Sequence, residues 1–100
     1  MDILRQMQTL VTVVQTGSFV AAAERLDTSK AAVSRLVAEL EARLGTRLLH
    51  RTTRSLSLTD AGRDYLERCR QILDDVAEAD AAASASTREP RGRLRINAPL

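Results

Sequence analysis

The sequence predicts a mainly α protein: a winged helix-turn-helix of three helices plus a β-hairpin wing, followed by a long helix suited to dimerisation. Three observations carry that reading. Residues 18–26 and 29–37 form two helical segments that share an apolar seam across a tight polar break, Asp27-Thr28. Two short runs of β-compatible alternation follow, on either side of a polar tip. Beyond Thr59, apolar residues recur at alternating spacings of four and three, the period of a coiled-coil seam.

The first helix is announced by Ile3, Met7, Leu10 and Val14, with Leu4 and Val11 beside them, spaced to share one helix face. Asp2 is its N-cap, a short side chain whose oxygen accepts from a free first-turn amide, and Gly17 stops it. Ser18 caps the second helix and Ser29 the third. The third helix has Val33, Leu36, Val37, Leu40 and Leu44 on its apolar face, and Gly45 ends it as a left-handed cap. Apolar residues at 19, 22, 23, 26, 33, 36, 37 and 40 join the second and third helices, so the helix-turn-helix spans 18–37. Residues 46–58 make the wing, with strands over 47–51 and 55–58 and a tip of Thr52, Thr53 and Arg54. Thr59 caps the fourth helix, and Asp60 suits the positive end of its dipole.

That fourth helix runs to about residue 86, or ~42 Å at 1.5 Å per residue. Tyr65, Cys69, Ile72, Val76, Ala79 and Ala83 form its seam. A winged domain of residues 1–58 is too small to cover a helix of that length. The uncovered seam calls for a partner, most simply the same helix of a second subunit, which makes 59–87 a linker and dimerisation helix. The alternative is that the helix folds back on its own domain. Cys69 is read as a small apolar filler of the seam rather than a redox group.

Composition bounds the function. With 100 residues, 44% hydrophobic and only Phe19 and Tyr65 aromatic, the core must be built from Leu, Val, Ile and Ala. The net charge is +2, yet residues 25–54 carry +4 and residues 64–87 carry −4. A basic block that coincides with a helix-turn-helix is the footprint of a nucleic-acid reader. Asp2 and Arg5 interrupt the N-terminus as a signal peptide, and no apolar run approaches the length that spans a membrane. A single cysteine suits a reducing cytoplasm. No phosphate-cradling glycine loop, carboxylate pair or nucleophile–base set is visible, so the chain is not read as an enzyme, and no cofactor or metal is expected. His50 is a lone wing histidine without companion ligands.

The residues that open the third helix away from its seam, Ser29, Lys30, Ala31, Ser34 and Arg35, are small, polar or basic. Small residues permit close approach to a major groove, and long donors reach base edges and phosphates. Each has a plainer role beside it. Ser29 caps its helix, which is compatible with phosphate contact because both use the same terminus. Ser34 also reads as a small outward-facing residue. Arg43 and Arg47 read as surface or intersubunit ion-pair residues. A rival reading, of a winged helix used only for protein interaction or dimerisation, would call for acids on this face or a wing without arginine.

Four motif stretches then align. They are Phe19-x-x-Ala22-Ala23-x-x-Leu26; Ser29-x-x-Ala32-Val33-Ser34-Arg35; Leu40-Glu41-x-x-Leu44-Gly45-x-x-Leu48-Leu49-x-Arg51; and Leu58-Thr59-x-Ala61-Gly62. Together they resemble the LysR-type transcriptional regulators over residues 1 to 87. Residues 92–98 resemble the first strand of that family's effector-binding domain, so 88–100 would be a hinge and strand remnant, and the chain the DNA-binding portion of a longer regulator.

The resemblance implies that the opening of the third helix enters the major groove of double-stranded DNA while the wing reaches the adjacent backbone and minor groove. Carried over by motif, the groove residues are Ser29, Lys30, Ala31, Ser34 and Arg35, and the wing residues are Arg51 and Arg54. Lys30 stands where the family often has Gln, and Leu36 where a second Gln often follows. Gln pairs with adenine, whereas Lys favours guanine O6/N7 or a phosphate, so the family consensus does not set the base preference here. A homodimer joined through the long helices has two-fold symmetry and so calls for a partly palindromic operator, compatible with higher oligomers of the full-length regulator. A small-molecule effector would act only through the C-terminal domain that this chain lacks.

Overall fold

Short polar residues and glycines set the ends of the first three helices. The computed structural model describes residues 2–51 and 56–88. The elements are α1 (Ile3–Thr16), α2 (Phe19–Arg25), α3 (Lys30–Leu44), β1 (Leu49–Arg51), β2 (Leu56–Leu58) and α4 (Asp60–Arg88). The Asp2, Ser18 and Ser29 side chains accept from Arg5 N, Ala21 N and Ala32 N, each three residues on. Thr59 does the same for Gly62 N at 2.9 Å, and its hydroxyl also donates to Arg47 O at 2.7 Å, tying the start of α4 to the start of the wing. Gly17 and Gly45 close α1 and α3 in the left-handed region, at φ 80° and 70°.

The turn between α2 and α3 relies on Asp27, at φ 57°. Aspartate is one of the few side chains that tolerates this region. The reversal lets Thr28 N donate to Ala23 O at 2.9 Å, so α2 ends sharply and α3 restarts across it.

Behind these elements lies one core containing Leu10, Val13, Ala22, Val33, Val37, Leu40, Leu48 and Leu49, all essentially inaccessible. Fully burying each Val or Leu contributes on the order of 1.5–3 kcal/mol. Phe19, Leu44, Leu56 and Leu58 pack on it half-buried. β1 and β2 pair antiparallel with Leu49 opposite Leu58, so the wing is continuous with this core at its base. β1 begins at Leu49 rather than at residue 47, and Arg54 with the rest of 52–55 lies outside the described residues, as does 89–100.

Two expectations are corrected. The covered side of α1 is broader than its apolar residues indicate: Gln6, Thr9 and Thr12 are buried, while Ile3 and Leu4 are exposed. The threonines tolerate burial because their hydroxyls donate to carbonyls one turn back, Thr9 to Arg5 O at 2.8 Å and Thr12 to Gln8 O at 2.7 Å.

The second correction concerns α4. Cys69 is 0% exposed and Tyr65 half-buried, both packed in the chain's own domain, so they belong to the core and not to a free seam. The covered stripe is Gly62, Leu66, Cys69 and Leu73, laid against the domain that includes α1. Ile72 and Val76 lie off that stripe and stay 39% and 37% exposed, and Ala79 and Ala83 are exposed further along.

Burial pushes the Cys69 thiol above its ordinary 9.0, against smaller lowering influences from a Tyr65 hydrogen bond and the Arg43 charge. The folded state favours the neutral thiol. The stability it brings is therefore fully present below the unfolded value and is lost as pH rises through the higher folded one. Alkylation of Cys69 at about pH 8 is expected to proceed only as fast as the protein opens. Labelling as rapid as that of an unstructured cysteine peptide would contradict this packing.

Candidate nucleic-acid interface

The first two turns of α3 have two opposite faces. Val33 and Val37 are fully buried, while Ser29, Lys30, Ala31, Ser34 and Arg35 are all exposed. The five residues singled out from the sequence therefore share one accessible face at the N-terminal end of a helix. The positive end of the helix dipole adds to the charge of Lys30 and Arg35 there, an arrangement that attracts phosphate. Ser29 Oγ accepts from Ala32 N at 3.1 Å, and this cap still leaves the hydroxyl proton for an incoming oxygen. Arg35 Nε lies 4.0 Å from Glu39 Oε2, one turn on, with both side chains more than half exposed. Such a pair is worth roughly 0.3–0.5 kcal/mol, so Arg35 is released at little cost.

The wing base is tied to α3 through Glu41. This buried carboxylate accepts from Leu48 N at 2.8 Å and Leu49 N at 3.2 Å through Oε2. Arg51 Nη2 donates to Oε1 at 3.0 Å, and Arg47 stands 3.9 Å from the same oxygen. The Arg51 guanidinium also lies 5.8 Å from the centroid of the Phe19 ring. Arg51, assigned to DNA by its motif position, is thus engaged within the protein and keeps only part of its fork for an outside partner.

Arg43 is half-buried rather than a surface residue: its Nε donates to Gln6 Oε1 at 3.1 Å and its Nη2 to the Tyr65 hydroxyl at 3.3 Å. Glu41 stands in one of the family motifs, yet the sequence attaches no role to it. One signal was available. An acid in the last turn of a helix opposes the helix dipole and needs donors of its own. Among the described residues no group of His, Cys, Asp or Glu has the arrangement to hold a metal ion, and no helix is long and apolar enough to cross a membrane.

The family model described as "Bacterial regulatory helix-turn-helix protein, lysR family" matches residues 4–63. The chain belongs to that family. Over 89 residues this LysR-family chain is 52% identical to an HTH-type transcriptional regulator of Xanthomonas campestris pv. campestris, a match that covers 89% of the chain and 26% of that relative. Over 95 residues it is 43% identical to the HTH-type transcriptional regulator CrgA of Neisseria meningitidis serogroup C, covering 95% of the chain and 32% of CrgA. Among solved structures, BenM_DBD in complex with catB site 1 DNA superposes with a TM-score of 0.83 at 28% identity, covering 89% of this chain and 99% of that one. A CbnR_DBD–DNA complex gives 0.78 at 36% identity, covering 88% and 100%. The LysR-family chain thus spans 26% and 32% of the length of the two curated relatives.

Proposed function

We propose that this chain is the DNA-binding part of a LysR-family transcriptional regulator, reading double-stranded DNA sequence-specifically as a homodimer. The observation that carries the reading is the accessible face of Ser29, Lys30, Ala31, Ser34 and Arg35 at the head of α3, backed by inaccessible Val33 and Val37. It is supported by likeness to domains solved on DNA, BenM_DBD and CbnR_DBD. No acid stands among those five residues, which disfavours a module used only for protein contacts.

On this reading residues 1–58 are the reading domain, 59–87 the linker and dimerisation helix, and 88–100 the passage to an effector-binding part. The head of α3 enters a major groove, with Lys30 and Arg35 reaching base edges or phosphates. Arg51 and Arg54, on the wing, reach the adjacent backbone and minor groove. Two heads related by a two-fold axis read half-sites about one helical turn, or a multiple of it, apart. Phosphate contacts supply most of the affinity and the groove residues the discrimination. The chain takes part in no catalytic step, acts in the cytoplasm, and leaves any small-molecule response to the remainder of the regulator.

Selection from random duplexes, followed by binding at graded salt, tests the proposal. Log affinity is expected to fall roughly linearly with log salt. Lys30→Ala is expected to lower affinity for the preferred base at one half-site position by about 1–3 kcal/mol, relaxing selectivity there. A uniform loss across all sequences would make Lys30 a phosphate ligand, and no enrichment of any sequence would sink the proposal.

A further inference from the structure

The carboxylate of Glu41 gathers groups that follow it in the chain by up to ten residues: Leu48 N, Leu49 N, Arg51 Nη2 and, more loosely, Arg47 Nη1. Its backbone carbonyl accepts from Gly45 N at 2.8 Å and Thr46 N at 3.2 Å, closing α3. One residue on the reading helix therefore holds both the turn that leaves the helix and the first strand of the wing. Burying a charge is costly, and an apolar side chain often serves stability as well or better. What an apolar side chain lacks is a set of directed acceptors that fix the register of β1 against α3.

We propose that Glu41 is a positioning residue for DNA binding, setting where the wing stands relative to the exposed face of α3 so that both meet one duplex together. The inference rests on the DNA-binding reading and names a residue which that reading leaves out. Glu41 itself is buried and touches no DNA. It acts through Leu48, Leu49 and Arg51. Its carboxylate also neutralises part of the charge of Arg47 and Arg51, an effect of opposite sign on affinity, so the test must separate geometry from charge.

Glu41→Asp keeps the charge and withdraws the carboxylate by one methylene. Glu41→Gln keeps the reach and removes the charge. Both are compared with wild type by fluorescence anisotropy on the selected duplex and on an unrelated duplex of equal length, across a salt series. The folded fraction of each variant is measured by circular dichroism under the same conditions. Glu41→Asp is expected to bind the selected duplex about tenfold or more weakly, with a log–log salt slope smaller by about one phosphate contact. The unrelated duplex should be affected less. Glu41→Gln is expected to lose preference for the selected duplex in the same way.

A wild-type slope and affinity in Glu41→Asp would overturn the inference. So would a Glu41→Gln protein that binds both duplexes more tightly with a steeper slope, since Glu41 would then be only a counter-charge. A loss fully accounted for by the unfolded fraction, with the slope unchanged, reduces Glu41 to a stabilising residue and overturns it as well. Wild type that binds no duplex defeats the DNA-binding reading itself. Wild type that binds alongside an unaltered Glu41→Asp defeats only the role given to Glu41.

Discussion

Gly62→Ala is expected to destabilise the domain severely. A Cβ at this position would lie 2.0 Å from Leu48 O and 2.9 Å from Leu48 C, with Leu58 Cδ2 at 3.1 Å. The first two are backbone atoms, so no side-chain rotation relieves the overlap. Nor does Leu48 have room to retreat. Its side chain is buried, its N–H is held by Glu41 at 2.8 Å, and its carbonyl accepts from Thr59 N at 3.0 Å. The first turn of α4 must lift away, taking Leu66 and Cys69 out of the core. Overpacking of this kind costs roughly 3 kcal/mol or more. At about 4–8 °C per kcal/mol for a domain of this size, Tm should fall by more than roughly 12 °C in a circular dichroism melt. A shift of only a few degrees would show that α4 and the wing base separate freely.

The second large effect is expected at the other stripe of α4. Ile72 and Val76 remain more than one-third exposed in the isolated chain, one helical turn apart and off the stripe that packs on the domain. If the dimer forms here, Ile72→Asp places an unpaired carboxylate in an apolar contact, a cost such an interface does not absorb. The mutant should sediment as a folded monomer, because Leu66, Cys69 and Leu73 still hold α4 to its own domain. Affinity for a duplex with two half-sites should drop by roughly 10²–10⁴-fold as the second head loses its high effective concentration. Binding to a single half-site should barely change. A wild-type chain that is monomeric at tens of micromolar, or a mutant that stays dimeric, would refute the assignment.

The parts of this fold that depend on near neighbours were legible in the sequence. Asp2, Ser18, Ser29 and Thr59 were readable as caps because each acceptor serves an amide three residues on, and Gly17 and Gly45 as helix stops because few other residues adopt their φ. The exposed face of Ser29 to Arg35 followed from the spacing of Val33, Leu36 and Val37, which fixes what lies opposite.

What escaped depends on partners that periodicity does not name. The motif names Glu41 without a role for it, since its acceptors are used by amides beyond the turn. The motif resemblance assigns Arg51 to DNA, while the carboxylate and ring that engage it come from α3 and the start of α2. On α4, the rows Gly62-Leu66-Cys69-Leu73 and Tyr65-Cys69-Ile72-Val76 both satisfy a spacing of three and four. Only the placement of the helix against its own domain decides which row is covered and moves Tyr65 and Cys69 into the core.

The covered stripe and the exposed pair Ile72 and Val76 also make α4 a shaft with two keyways. One seats the chain's own head, and the other, on the dimeric reading, seats the second subunit, with an angle between them fixed by residue count at 100° per step of an ideal helix. No joint intervenes, because the same unbroken helix, Asp60–Arg88, carries both. The separation and facing of the two heads would then be written in α4, while base preference is written in α3. Exchanging α4 between relatives would transfer the spacing of half-sites, and exchanging the first turns of α3 would transfer the letters within them.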